Sequence, residues 1–326
     1  MPEPGRSCAF PVDCEAVVPV DCEAVVPVDG EAVVLRVIDD RVTPMTPNGL
    51  RGYSRALYSN WLWHQPLQLV VDAGEGLALA LGTKVFSPSV VAITHGHSDH
   101  VLGLPGLAGA RRFGKGAHDK PWTVIYPRGS GGVDAVRQTI GELWRDVEFP
   151  ITWTPLDAGD SYPLGGQRTL QPFAVTHAPP EPAVGYRVIQ TRRRLKPKFA
   201  GVAQAEIERL SRERGRDHMM EEAAHVLFAH SGDAMPVDVA LIREADTLVH
   251  DATFLEAADR RAPIHASSRE VFDLAREANV SALILNHLSI RYERPMALAR
   301  LREQLSGSGY TGECWLLDEG DFVNLR

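Results

Sequence analysis

Five short apolar runs in this 326-residue chain each deliver a histidine or an aspartate at or just past their carboxyl end. Val90 to Ile93 lead into Thr94-His95, Phe173 to Thr176 end at His177, and Val226 to Phe228 run to Ser231-Gly232-Asp233. Thr247 to Val249 reach His250-Asp251, and Ala282 to Leu285 reach Asn286-His287. Runs this short, bounded by polar residues, read as buried strands. Helical periodicity occupies Leu102 to Arg112, Val133 to Val147, Ser267 to Ala278 and Pro295 to Leu305. The alternation predicts an α/β fold. In such folds ligands gather outside the carboxyl ends of the strands, so the repeated ending predicts one shared site built from distant segments.

With 44% hydrophobic and 23% charged residues, the chain has the balance of a globular protein, which excludes a disordered, collagen-like or coiled-coil chain. The net charge of -8 argues against a basic coat for nucleic acid but leaves room for a local basic patch. Cys8, Cys14, Cys22 and Cys314 form no CxxC pair, so neither a disulfide framework nor a cysteine zinc site is expected. No run approaches the roughly 18 apolar residues of a membrane span, and no signal-like segment opens the chain; a cytoplasmic protein is expected.

An octapeptide recurs three times, at Pro11 to Val18, Pro19 to Val26 and Pro27 to Val34. A period of eight matches no solenoid unit. Each copy holds a proline, two acids and one three-residue apolar run, so residues 1–34 are expected to be a flexible leader before a domain over 35–326.

The densest chemistry is Thr94-His95-Gly96-His97-Ser98-Asp99-His100. In extended chain, residues two apart point the same way, so His95 and His97 can hold one metal while Asp99 and His100, as the chain turns into a helix, reach another. His64, His118, His218, His225 and His230 belong to no motif, Trp61 and Trp63 read as packing, and Arg128 to Gly132 reads as a turn rather than a phosphate loop.

In chain order, several segments resemble the metallo-β-lactamase superfamily and, within it, the ribonuclease Z branch, which matures transfer RNA 3′ ends. They are Val71-Asp72-Ala73-Gly74-Glu75-Gly76, the HxHxDH segment running into Gly103 to Leu107, and His177 before Val184-Gly185-Tyr186-Arg187. Ser231-Gly232-Asp233, His250 to Phe254, His265-Ala266-Ser267-Ser268 and Asn286 to Tyr292 complete the set, which spans Val70 to Tyr292. Asp251 stands where the family has Glu. The resemblance implies an αββα sandwich of two mixed β-sheets with outer helices, a homodimer, and two zinc ions, with manganese or iron as alternatives. It implies one metal on His95, His97 and His177, a second on Asp99, His100 and His287, and Asp233 bridging them. Asp99, His250 and Asp251 are assigned to catalysis, with His250 as proton donor or as a contact to the phosphoryl oxygens; Asp72 orients the ligand loop, and His265 and Ser267 contact phosphate.

Between the GYR and SGD motifs, Arg192 to Arg216 holds nine of the 34 Lys and Arg residues and three acids, so this segment is +6 while the rest is -14. The resemblance puts an RNA-gripping arm here, within 191–217. Arg192, Arg193, Arg194, Lys196 and Lys198, followed by a basic helix, would contact the phosphates of precursor transfer RNA. The expected activity is therefore zinc-dependent endoribonuclease cleavage. The alternatives are a hydrolase of small phosphodiesters or sulfate esters on the same scaffold, a mononuclear iron dioxygenase sharing HxHxDH, and a non-catalytic RNA-binding protein.

Overall fold

The structure, a computed structural model, describes residues 23–28, 31–36, 49–113, 120–145 and 151–326. The chain divides into two units, Met1–Met45 and Thr46–Arg326. In the first unit, β1 (Glu23–Val28) and β2 (Glu31–Arg36) form an antiparallel hairpin with Val25 opposite Val34. Of the octapeptides, residues 23–28 and 31–34 are therefore in strands. The rest of the expected leader, with Cys8, Cys14 and Cys22, lies outside the described residues, as does His118.

The second unit contains two mixed sheets. The first has six strands: β3 (Leu50–Arg55), β4 (Ser59–His64), β5 (Leu69–Val71), β6 (Val90–Ala92), β7 (Trp122–Pro127) and β8 (Ile151–Leu156), in that spatial order. Its first three strands pair antiparallel, and β5 to β8 run parallel. The second has eight strands in chain order: β9 (Tyr162–Gly165), β10 (Arg168–Ala174), β11 (Val184–Leu195), β12 (Met220–His230), β13 (Thr247–Asp251), β14 (Ala282–Asn286), β15 (Glu313–Asp318) and β16 (Asp321–Asn324). Only β12 to β15 run parallel.

Strand alternation sorts the apolar side chains into layers. Leu69, Val71, Val90 and Ala92 face Tyr186, Phe228, Val249 and Ile284 of the other sheet in a core between the sheets. The intervening Val70 and Val91 turn outward, against α1 (Leu77–Leu81), α3 (Gly103–Phe113) and α4 (Gly131–Leu143), in a cluster that also takes Trp61 and Trp63. On the far side, Leu248, Leu283 and Leu316 pack on α8 (Ser268–Glu277) and α9 (Arg294–Ser308). The layers are helix, sheet, sheet, helix, the αββα sandwich expected. The remaining helices are short α2 (Ser98–Val101), α6 (Arg216–Met219) and α7 (Val239–Ile242), and α5 (Gln204–Arg214).

The basic segment takes a different form from the expected one. Strand β11 continues to Leu195, so Arg192, Arg193 and Arg194 stand on a ribbon opposite Ala223, Glu222 and Glu221 of β12. Helix α5 that follows is not basic: Glu206, Glu208 and Glu213 balance Arg209, Arg212 and Arg214. Arg209 pairs with Glu206 at 2.6 Å and Glu213 at 2.7 Å.

Candidate metal centre

The carboxyl ends of β6, β10, β12, β13 and β14 open toward one site: β12 to β14 run parallel, and β10, two antiparallel pairings away from β12, points the same way. Beyond β6 the chain runs extended through His95 and His97, then turns into α2, which carries Asp99 and His100. His177 follows β10, Asp233 follows β12 and His287 follows β14. The turn to Asp233 needs Gly232 twice over: its φ is +62°, and a Cβ there would lie 2.7 Å from the Cβ of Thr94.

Seven side chains converge there. His97 Nδ1 lies 3.0 Å from His95 Nε2 and 3.3 Å from His177 Nε2. The Asp233 carboxylate lies 3.9 Å from His95 Nε2, 3.4 Å from His100 Nε2 and 3.1 Å from His287 Nε2. Asp99 Oδ2 is 3.5 Å from both His100 Nε2 and His287 Nε2. Asp233 thus stands between a group of three histidines and a group of Asp99, His100 and His287. Both groups could hold a metal ion.

The imidazoles are fixed from behind. His177 Nδ1 donates to the Ile264 carbonyl at 3.1 Å, and His100 Nδ1 donates to Asp72 Oδ2 at 2.8 Å. His287 Nδ1 is 2.8 Å from Thr253 Oγ1, whose own proton goes to Asp251 at 2.7 Å, so His287 must donate there. His95 Nδ1 is likewise 3.0 Å from Thr94 Oγ1, which donates to Asp72. Each of these rings therefore spends its Nδ1 on a support and turns its Nε2 toward its neighbours, and the buried His287 Nε2 has no hydrogen-bond partner. Nitrogen lone pairs facing one another repel, and a cation among them removes the repulsion. Two nitrogens on one tetrahedral zinc, each at about 2.0–2.1 Å, stand about 3.3 Å apart. The 3.0 and 3.3 Å separations around His97 fit that requirement.

The electrostatics separate the rings: in the metal-free centre Asp233 and Asp72 outweigh burial and raise His100 well above the ordinary histidine value. Burial pushes His95 well below the ordinary histidine value, which keeps it in the neutral, ligating form. Burial opposes charge on Asp233 and Asp99 as well, but the surrounding histidines outweigh it and hold both carboxyls well below the usual range. Asp72 lies outside the ligand cluster, its carboxylate accepting from Thr94 N–H at 2.7 Å and from His100.

Two expected residues sit differently. His250 is fully buried; its Nδ1 is 2.8 Å from the Asp251 carbonyl, its Nε2 is unpartnered, and it belongs to neither ligand group. Ser267 is also buried, with its N–H and hydroxyl both spent on Glu270 at the start of α8. His265, by contrast, lies at the centre's edge, its ring 5.0 Å from that of His177 and stacked 5.2 Å from that of His287. Asp251, despite its short side chain, reaches His265 Nδ1 at 2.7 Å, and it also accepts from the N–H groups of Ala234 and Thr253. Burial opposes a charge on His265, but Asp251 prevails and raises it to about 9.

The model of the metallo-beta-lactamase superfamily matches residues 67–187, which include His95 to His100 and His177. Over these residues the chain is similar to that superfamily. It is a metal-dependent hydrolase. Ribonuclease Z of Staphylococcus aureus strain MSSA476 is 29% identical over 265 residues, covering 72% of this chain and 80% of that protein. Among solved structures, the metallo-beta-lactamase fold protein YhfI from Bacillus subtilis superposes with a TM-score of 0.57 at 17% identity, covering 84% of this chain and 98% of YhfI. The short form of human tRNase Z gives 0.55 at 19% identity, covering 85% and 99%. Among the described residues, no helix is long and apolar enough to cross a membrane.

Sequence reasoning passed over three side chains that touch this centre, Ser54, Asn60 and Glu181. Asn60 Nδ2 donates to Asp99 Oδ2 at 3.0 Å, Ser54 Oγ accepts from His287 N–H at 2.7 Å, and Glu181 Oε1 accepts from Gly96 N–H at 3.0 Å.

Proposed function

We propose that this chain is a zinc-dependent endoribonuclease that hydrolyses the phosphodiester at the 3′ end of precursor transfer RNA. The observation that carries the reading is the double ligand set meeting on Asp233. His95, His97 and His177 would hold one ion, Asp99, His100 and His287 the other, and Asp233 would touch both. Ions bound there supply a nucleophile at neutral pH and positive charge for the phosphoryl oxygens. A single-iron oxygenase would have no use for a second complete set of donors.

The chain's own residues supply the proton. Asp251 keeps a proton on His265 Nδ1 and stabilises the imidazolium, so His265 Nε2 is left to protonate the departing alkoxide. This role moves from His250, which pairs with the Asp251 carbonyl, to His265. Gripping RNA falls to the far end of the β11–β12 ribbon. Arg192 lies eight residues beyond Val184, about 26 Å at the strand rise, and Val184 N–H bonds the Thr94 carbonyl beside the ligand loop. Arg192 faces Asp246 at 3.7 Å, Arg193 pairs with Asp217, Arg194 meets Glu221 at 2.9 Å, Lys196 donates to the His218 carbonyl at 2.9 Å, and Lys198 lies over Phe199. Exposed pairs of this kind contribute only about 0–1 kcal/mol, so RNA phosphates can replace the acids at small cost. The ribonuclease Z similarity supports an RNA substrate; a homodimer in the cytoplasm is part of the same proposal.

Metal analysis of the purified protein tests the reading. It expects about two zinc ions per chain and full loss of hydrolysis on chelation. One iron per chain, or hydrolysis that survives chelation, contradicts it.

A further inference from the structure

Among the side chains that hold the candidate ligands from behind, Asp72 spans both halves through Thr94 and His100, whereas two further sets of supports each touch one half. Ser54 at the end of β3 and Asn60 on β4 are both buried. Ser54 Oγ accepts the His287 N–H at 2.7 Å and donates to Asn60 Oδ1 at 2.7 Å. Asn60 Nδ2 then donates to Asp99 Oδ2 at 3.0 Å, and the Leu57 N–H reaches the same oxygen at 3.2 Å. A continuous hydrogen-bonded path therefore joins His287 to Asp99. Asn60 Nδ2 also lies 3.4 Å from His100 Nε2. An amide NH2 has no lone pair to give a metal, so Asn60 can orient ligands without being one. His287 has particular need of a hold, since its φ of +62° lies in the left-handed region that non-glycine residues rarely adopt.

The second set is Glu181, four residues beyond His177. Its Oε1 accepts from the Gly96 N–H at 3.0 Å and from the hydroxyl of Ser130, the cap of α4. Gly96 lies between His95 and His97, so one carboxylate ties the loop of two histidines to the segment carrying the third. The loop is already pressed on α4, where a Cβ on Gly132 would stand 1.9 Å from the Gly96 carbonyl oxygen. No hydrogen bond among the described residues links Glu181 to Ser54 or Asn60.

We infer that, beside the shared Asp72, each half of the centre has a support of its own: Ser54 and Asn60 set the Asp99, His100 and His287 half, and Glu181 sets the His95, His97 and His177 half. The inference rests on the two-ion reading above. Losing a group that orients a metal ligand typically weakens metal binding about 10–100-fold, and here each loss should fall on one ion only.

The test is a zinc titration of metal-free protein against a competing chromogenic chelator, which reads two successive affinities. His177→Ala and His287→Ala, each deleting a ligand, assign an affinity to each half. Asn60→Ala should weaken the His287 half about 10–100-fold and leave the other unchanged, and Glu181→Ala should do the reverse. Ser54→Ala, a milder change, should follow Asn60→Ala in direction and carries the test if Asn60→Ala does not fold. Equal weakening of both halves, or no change in either, overturns the inference. A wild-type protein that takes up one zinc or none removes the two-ion reading beneath it, and that result is visible before any variant is compared.

Discussion

The carboxylate of Asp251 and the Nδ1 of His265 lie 2.7 Å apart at the edge of the metal centre, while Asp251 is fully buried. The pair fixes which nitrogen of His265 is free and holds the ring in its charged form. Removing the acid as His265→Ala should lower the rate about 10²–10⁴-fold with metal content unchanged. Asp251→Asn should move the alkaline limb of the rate profile to lower pH, because the amide no longer favours the imidazolium. A pH–rate profile of the three proteins checks this; an unmoved limb in Asp251→Asn counts against the pair.

The same pair has a thermodynamic signature in the metal-free protein. Its folded value of about 9 lies above the roughly 6.5 of an unfolded histidine. The sign follows: the contribution is complete below about pH 6.5 and is lost as pH rises through about 9. Melting temperature measured across that window should fall in the wild type and fall less in Asp251→Asn relative to its own value at pH 6.

Asp233 and His250 should separate cleanly. Asp233→Ala removes the carboxylate between both ligand groups, so metal and hydrolysis should disappear together. His250→Ala opens a hole at a buried ring that belongs to neither ligand group; it should cost stability, on the order of 1–3 kcal/mol, with the folded fraction keeping its metal and rate. Full metal content in Asp233→Ala, or a large rate loss in folded His250→Ala, reverses the assignment.

Arg192, Arg193, Arg194, Lys196 and Lys198 changed together to Ala should weaken cleavage of precursor RNA strongly. The slope of log binding constant against log salt should shrink by roughly 0.7–0.9 for each phosphate that the ribbon no longer neutralises. A small chromogenic phosphodiester cannot span the ribbon and should be hydrolysed near the wild-type rate. Equal losses on both substrates would mean that the ribbon supports the fold instead.

What the sequence made legible was the part of the site carried by local pattern. His95 to His100 lie in six consecutive residues, and His177, Asp233 and His287 each close or follow an apolar run, so strand ends alone pointed to them. The supports were hidden because their partners are remote: Ser54 meets His287 across 233 positions and Glu181 meets Gly96 across 85. Ser, Asn and Glu in those places look like any surface polar residue until the two sheets pack. The basic segment was visible as charge, but charge does not tell that Arg192 to Arg194 continue a strand or that the acids of α5 cancel its arginines. His250 lies near the end of a strand as the ligands do, but it belongs to neither ligand group and its Nδ1 meets the Asp251 carbonyl.

The most direct test of the account is cleavage of a 3′-extended precursor transfer RNA by the purified zinc-loaded protein, with product ends mapped. Endonucleolytic cut at the mature 3′ end, leaving a 3′-hydroxyl on the mature side and abolished by chelator and by Asp233→Ala, is the predicted result. A protein that holds two zinc ions and hydrolyses a small phosphodiester, yet leaves the precursor intact, would contradict it.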